Sequence, residues 1–142
     1  MTTVPRWEQV SVGDDLPAQS HRLTRAALIQ YAGASGDFNV IHWNERIARS
    51  VGLPDVIAHG MLTLALAGRI VTDWVTDPGR VVEFTGRMTA PVVVPDDDAG
   101  VLLDVTARVA EKGPQPLVRV EIEARVGTVK VLGRSTVLVR LD

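Results

Sequence analysis

Three polar side chains that could do chemistry fall within six residues, in the stretch Gly36-Asp37-Phe38-Asn39-Val40-Ile41-His42. Adding water across an activated double bond involves two proton events. The water loses a proton as its oxygen attacks Cβ, and Cα gains one. An anionic carboxylate and a neutral imidazole suit that task, because histidine exchanges protons near neutral pH. Both groups must reach the same water or the reacting carbons, at roughly 2.6–3.2 Å. A tight turn could bring Asp37 and His42 together, and the Asn39 amide could orient either partner or the water. The same residues also fit a plainer reading, in which the aspartate caps a helix and the asparagine shapes a turn.

Downstream lies Ala58-His59-Gly60-Met61-Leu62-Thr63. The first N–H groups of a helix lack partners within it and favour negative charge. Gly60, having no side chain, would let a carbonyl oxygen approach its N–H and form an oxyanion hole. Equally, Gly60 fits as a tight start to a buried helix. His59 is expected to cap or pack there rather than transfer protons. Thr63 either faces the cavity and the catalytic loop or bonds back within its own helix. His21 sits in a polar segment and is expected to be exposed. Three histidines this scattered make no metal set with the usual spacing. Asp96-Asp97-Asp98 reads as a solvated loop, and Trp43 and Trp74 as core or cavity wall, core being favoured.

These residues need elements to hold them. Thr24 reads as the N-cap of a helix over Ala26 to Ala34, weakened at Gly33 and Gly36. A short helix follows from Asn44 to about Val51. From Gly60 to Trp74 apolar residues surround nearly the whole helical circumference, the pattern of a helix buried in the middle of a domain. At 1.5 Å per residue it is roughly 22 Å long. Strands follow. Val118, Val120, Ile122, Ala124 and Val126 alternate with charged residues. Val101 to Val109 alternate likewise. Val129, Val131, Val137 and Val139 form a third face, and Val82, Phe84 and Met88 a shorter fourth. Short turns at Lys112 to Pro116 and at Gly127-Thr128 predict antiparallel neighbours. Arg6 to Val10 and Gln19 to Leu23 could supply edges. A sheet that covers such a helix must curl around it. The expected fold is therefore α+β: one domain over residues 1–142, with an antiparallel sheet wrapped around a central buried helix, the hotdog arrangement. One sheet and one helix leave an edge uncovered, so a dimer is expected.

The bulk numbers exclude other classes. The chain has 142 residues, a net charge of −2 and no cysteine. Nothing electrostatic favours nucleic acid or an anionic membrane, and thiolate chemistry is ruled out. There is no glycine-rich phosphate loop, so no cofactor is expected. The first ten residues do not read as a signal peptide. The longest apolar run is shorter than the roughly 20 residues a membrane span needs. A cytoplasmic location is the default expectation.

The stretch from Tyr31 to Ala48 resembles the hydratase motif of MaoC-like (R)-specific enoyl-thioester hydratases and dehydratases. That motif has an aromatic residue, then Gly-Asp-x-Asn-Pro-aliphatic-His, then a small residue six positions on. Here these are Tyr31, Gly36 to His42, and Ala48, while Val40 replaces the proline. Ala58-His59-Gly60-Met61 resembles the start of the family's central helix. Ile41-His42-Trp43 and Val71 to Trp74 extend the likeness, which is greatest to catalytic B subunits of mycobacterial-type (3R)-hydroxyacyl-carrier-protein dehydratases. The resemblance implies an Asp37–His42 acid–base pair, a Gly60 N–H on the thioester carbonyl, and an acyl substrate on CoA or acyl carrier protein. It also implies a homodimer, or a heterodimer with a related hotdog subunit. Alternatives are a non-catalytic acyl-thioester-binding subunit of such a heterodimer, and a hotdog thioesterase.

Overall fold

The computed structural model describes residues 4–142. Its helices are α1 (Arg25–Ser35), α2 (Glu45–Ser50) and α3 (Gly60–Val75). Its strands are β1 (Gln19–Leu23), β2 (Val81–Met88), β3 (Val101–Lys112), β4 (Leu117–Val126), β5 (Val129–Lys130) and β6 (Leu132–Arg140). The strands form one sheet in the order β1-β3-β4-β6-β2, with β5 paired to β4, and each of these pairings is antiparallel. The sheet wraps α3, as the alternating strands require. Among the described residues, no helix is long and apolar enough to cross a membrane.

The buried face is the one the period-two pattern assigns. Leu103, Val105, Ala107 and Val109 of β3 meet Val118, Val120, Ile122 and Ala124 of β4, all buried. Against them α3 places Thr63, Ala67, Ile70, Val71 and Val75, spaced so that they share one side of the helix. Glycine lets α3 approach β2 closely. A Cβ on Gly68 would lie 2.6 Å from Phe84 Cε1, and one on Gly86 would lie 2.7 Å from Leu64 Cδ1. Gly68→Ala should therefore cost about 1–3 kcal/mol through overpacking, although alanine is the better helix former, and lower the melting temperature by roughly 3–10 °C. A thermal melt checks this.

Several expectations are corrected. Arg6 to Val10 is not a strand; Trp7–Gln9 forms a 3-10 turn that hydrogen-bonds to Leu141. The third apolar face is split between β5 and β6, and Val129 of β5 lies exposed beside the Gly127-Thr128 turn. Val82 is 53% exposed, because the β2–β6 register shifts between Val81 and Glu83 and turns it outward. α3 is not covered on all sides: Met61 is 66% exposed, and Ala65 also faces out. Its apolar circumference thus overstates burial within one chain. The uncovered side adjoins β2, one of the two edge strands, whose burial is slight.

Candidate active site

Helix α1 leads into the candidate loop. Thr24 caps it by accepting the Ala27 N–H, and Gly36 ends it in the left-handed region at φ 77°. The next residues bond among themselves. The Asp37 N–H donates to Ser35 Oγ, and the Asn39 N–H donates to Asp37 Oδ1 at 3.2 Å. Asn39 Oδ1 accepts the Ile41 N–H and starts the 3-10 turn Val40–His42. The Asn39 side chain therefore shapes the loop, and it is the Asn39 main chain that touches Asp37. Trp43 is not core; it is 45% exposed and its indole N–H braces the loop at the Phe38 carbonyl. Trp74 is half-buried against the core. Ala48 has no exposure, so a larger side chain would not fit beneath the loop.

The loop faces a second segment. Ile57 bridges Val93, and the Ala58 N–H donates to Val92. Arg25 ties this region together, donating to the Val94 carbonyl at 2.6 Å and to Asp55 at 2.9 Å. Against that support His42 is buried, and its Nδ1 lies 2.8 Å from the Ile57 carbonyl. A carbonyl only accepts, so Nδ1 carries the hydrogen, and in the neutral ring Nε2 is a bare lone pair. That nitrogen lies 4.0 Å from Asp37 Oδ2. The gap is too long for a direct hydrogen bond and suits one water held by both, since two hydrogen bonds at about 2.8 Å span roughly 4–4.6 Å.

His59, Gly60 and Thr63 sit at the start of α3. His59 is 1% exposed, and its Nε2–H donates to the Asp37 carbonyl at 3.0 Å. Its ring stacks on that of His42 at 3.9 Å and meets Tyr31 edge-on at 4.8 Å. Burial pushes its pKa down, opposed by the Asp37 carbonyl. Thr63 bonds back to the His59 carbonyl within its helix. Gly60 lines two adjoining cavities with Met88. One, of about 340 Å³, includes His42, Ile57 and Pro91; the other, of about 280 Å³, includes Asp37, Leu64 and Leu132. Asp37, His42 and His59 lie close enough to share a metal ion. One nitrogen of each ring is already taken up by a carbonyl: His42 Nδ1 by Ile57 and His59 Nε2 by Asp37. His21 is half-buried against Gln19, away from this group. Asp96, Asp97 and Asp98 are exposed.

The structure brings Asp37, His42 and Gly60 together; the Ile57 carbonyl and Arg25 have no sequence signal, since any residue can supply a carbonyl and an arginine at a helix start is ordinary. The Val40 position also has a measurable consequence. Asn39 sits at φ −55° and ψ 125°, an extended ψ of the kind favoured before proline, and Val40 opens the 3-10 turn, where proline is tolerated. Val40→Pro should raise stability by about 0.4–1 kcal/mol by restricting the unfolded chain. Urea titration checks the gain, and turnover should stay within twofold, roughly.

A sequence profile described as MaoC like domain matches residues 9–127. The 3-hydroxyacyl-thioester dehydratase X of Mycobacterium tuberculosis is 38% identical over 79 residues, which is 56% of this chain and 27% of that protein. A solved structure titled MaoC-like dehydratase superposes with a TM-score of 0.93 at 38% identity, covering 98% of this chain and 43% of that one. The unliganded R-hydratase PhaJ1 of Pseudomonas aeruginosa gives a TM-score of 0.81 at 25% identity, covering 96% of this chain and 86% of that one. The chain thus spans less than half the length of the first two.

Proposed function

The chain belongs to the MaoC-like dehydratase family, and from that premise we propose that it adds water to trans-2-enoyl thioesters, reversibly, giving (3R)-3-hydroxyacyl thioesters. The observation that carries this reading is the 4.0 Å separation of His42 Nε2 and Asp37 Oδ2 beside the start of α3. The bare Nε2 and the carboxylate hold one water. As its oxygen bonds to Cβ, its proton passes to the dyad, and electrons move from the double bond into the thioester carbonyl. The Gly60 N–H and the positive end of α3 stabilise the resulting enolate oxygen. The proton then returns from the dyad to Cα. Both additions come from one side of the substrate plane, so the addition is syn.

The cavities on either side of Gly60 accommodate a substrate lying across it. The apolar one bounded by Leu64 and Leu132 suits the acyl arm, and the one running past Pro91 suits the arm of CoA or acyl carrier protein. A second hotdog subunit, either a copy of this chain or a related one, would cover Met61, Val82 and the free edge of β2.

Incubating the purified chain with crotonyl-CoA tests the reading. Hydration removes the conjugated enoyl absorbance and gives the (3R) alcohol without free thiol. Release of free thiol would instead mark a thioesterase. Activity appearing only with a second hotdog subunit that carries its own Asp–His pair would mark this chain as the non-catalytic member.

A further inference from the structure

His59 is a buried titratable group that the hydration chemistry leaves without a task. It is the N-cap of α3, yet its side chain makes no cap bond. An N-cap side chain ordinarily satisfies one of its helix's own free N–H groups. Here the ring reaches away from its helix to the Asp37 carbonyl, while its face lies on His42. We propose that His59 is a positioning residue that, as a neutral ring, holds both members of the dyad at their working separation. Its Nε2–H fixes the Asp37 main chain, and its face fixes the plane of His42. The proposal rests on the reading of Asp37 and His42 as the acid–base pair.

The hydrogen-bond inventory requires the neutral form. The Asp37 carbonyl accepts only, so the hydrogen of the neutral His59 ring is on Nε2. Nδ1 is then a lone pair, buried and without a partner among the described residues. Protonating it would aim an N–H at nothing that accepts, at the cost of an unsatisfied buried donor. It would also set a positive charge against His42, a member of the dyad that takes up the water's proton. The titratable groups facing His59 are His42 from the 3-10 turn, Asp37 from the loop and Tyr31 from α1. Burial, the dominant influence, opposes its protonation; the Asp37 carbonyl and charge favour it, His42 opposes it, and the net direction is downward. Shuttling a proton is therefore the wrong task for His59, and holding position is the right one. Displacing a reacting group by about 1 Å can cost 10²-fold in rate.

Two variants separate the two contacts. His59→Gln keeps an N–H that can reach the Asp37 carbonyl but loses the stack. His59→Phe keeps the stack and loses the N–H. Each should lower kcat by roughly 10- to 100-fold while KM for crotonyl-CoA stays within about threefold, because the defect lies in the alignment of the dyad rather than in substrate binding. Variants that melt earlier but keep native kcat would show His59 to be packing only and overturn the proposal. A second measurement needs no substitution. Nitrogen NMR of the native protein should show the His59 ring still neutral, with hydrogen on Nε2, as pH falls below about 6.5, where ordinary histidines charge. Protonation of His59 in that range would overturn the proposal even if neither variant folds. Native protein inactive on enoyl thioesters of every length would instead tell against the hydratase reading itself. An active native protein with fully active variants tells against His59 alone.

Discussion

Asp37→Asn should hydrate crotonyl-CoA roughly 10²–10⁴ times more slowly than the native protein, the usual loss when an acid–base group is removed. The substitution preserves shape. An asparagine carbonyl oxygen can still accept the Asn39 N–H that Asp37 Oδ1 accepts. What disappears is the negative charge beside the shared water, and the amide nitrogen now on that side would donate to the water instead of accepting its proton. Asp37 is half exposed, so stability should change by no more than about 0.5 kcal/mol. The pair of measurements is a single-turnover rate and a thermal melt. A normal rate with a normal melt would remove Asp37 from the chemistry.

The second large effect is at His42. His42→Asn is more informative than truncation to alanine. The asparagine amide can replace Nδ1–H on the Ile57 carbonyl, which would otherwise be left unpaired at a cost of about 1–3 kcal/mol. It offers nothing in place of Nε2. Turnover should again fall by roughly 10²–10⁴-fold with the fold retained. The two substitutions should not multiply. Groups that act on one water act as a unit, so the double variant should be about as slow as the slower single one. A double variant slowed by the product of both losses would mean that the two residues work on different steps. A double variant that still hydrates at near-native rate would refute the dyad.

The strands of the sheet were legible because its two faces differ. In β3 and β4 every second residue is buried, and a period of two says so directly. The helix boundaries were legible from Thr24, Asn44 and Gly60, each of which stands at the start of the helix it was expected to begin. β2 was read less well. Its valine at position 82 points outward after a register shift, and register is a property of two strands together rather than of either sequence alone. The apolar side of α3 around Met61 misleads in the same way: an apolar face does not say whether its own chain covers it. In the site, residue types betrayed Asp37 and His42, and the family resemblance raised them above an ordinary capping turn. The stack of His42 on His59 joins positions from separate segments, and no local pattern reports it.

The site's anchors are unusual in what they leave to mutation. The hydrogen on His42 Nδ1 is fixed by the carbonyl of residue 57, and the Asp37 carboxylate is steered by the N–H of residue 39. Neither atom is encoded by a side chain, so no single codon change can delete the first, and only proline can delete the second. Random mutagenesis should therefore find position 57 permissive despite its direct contact with the imidazole. This part of the apparatus is inherited with the path of the chain itself, and sequence drift can pass over it without erasing it.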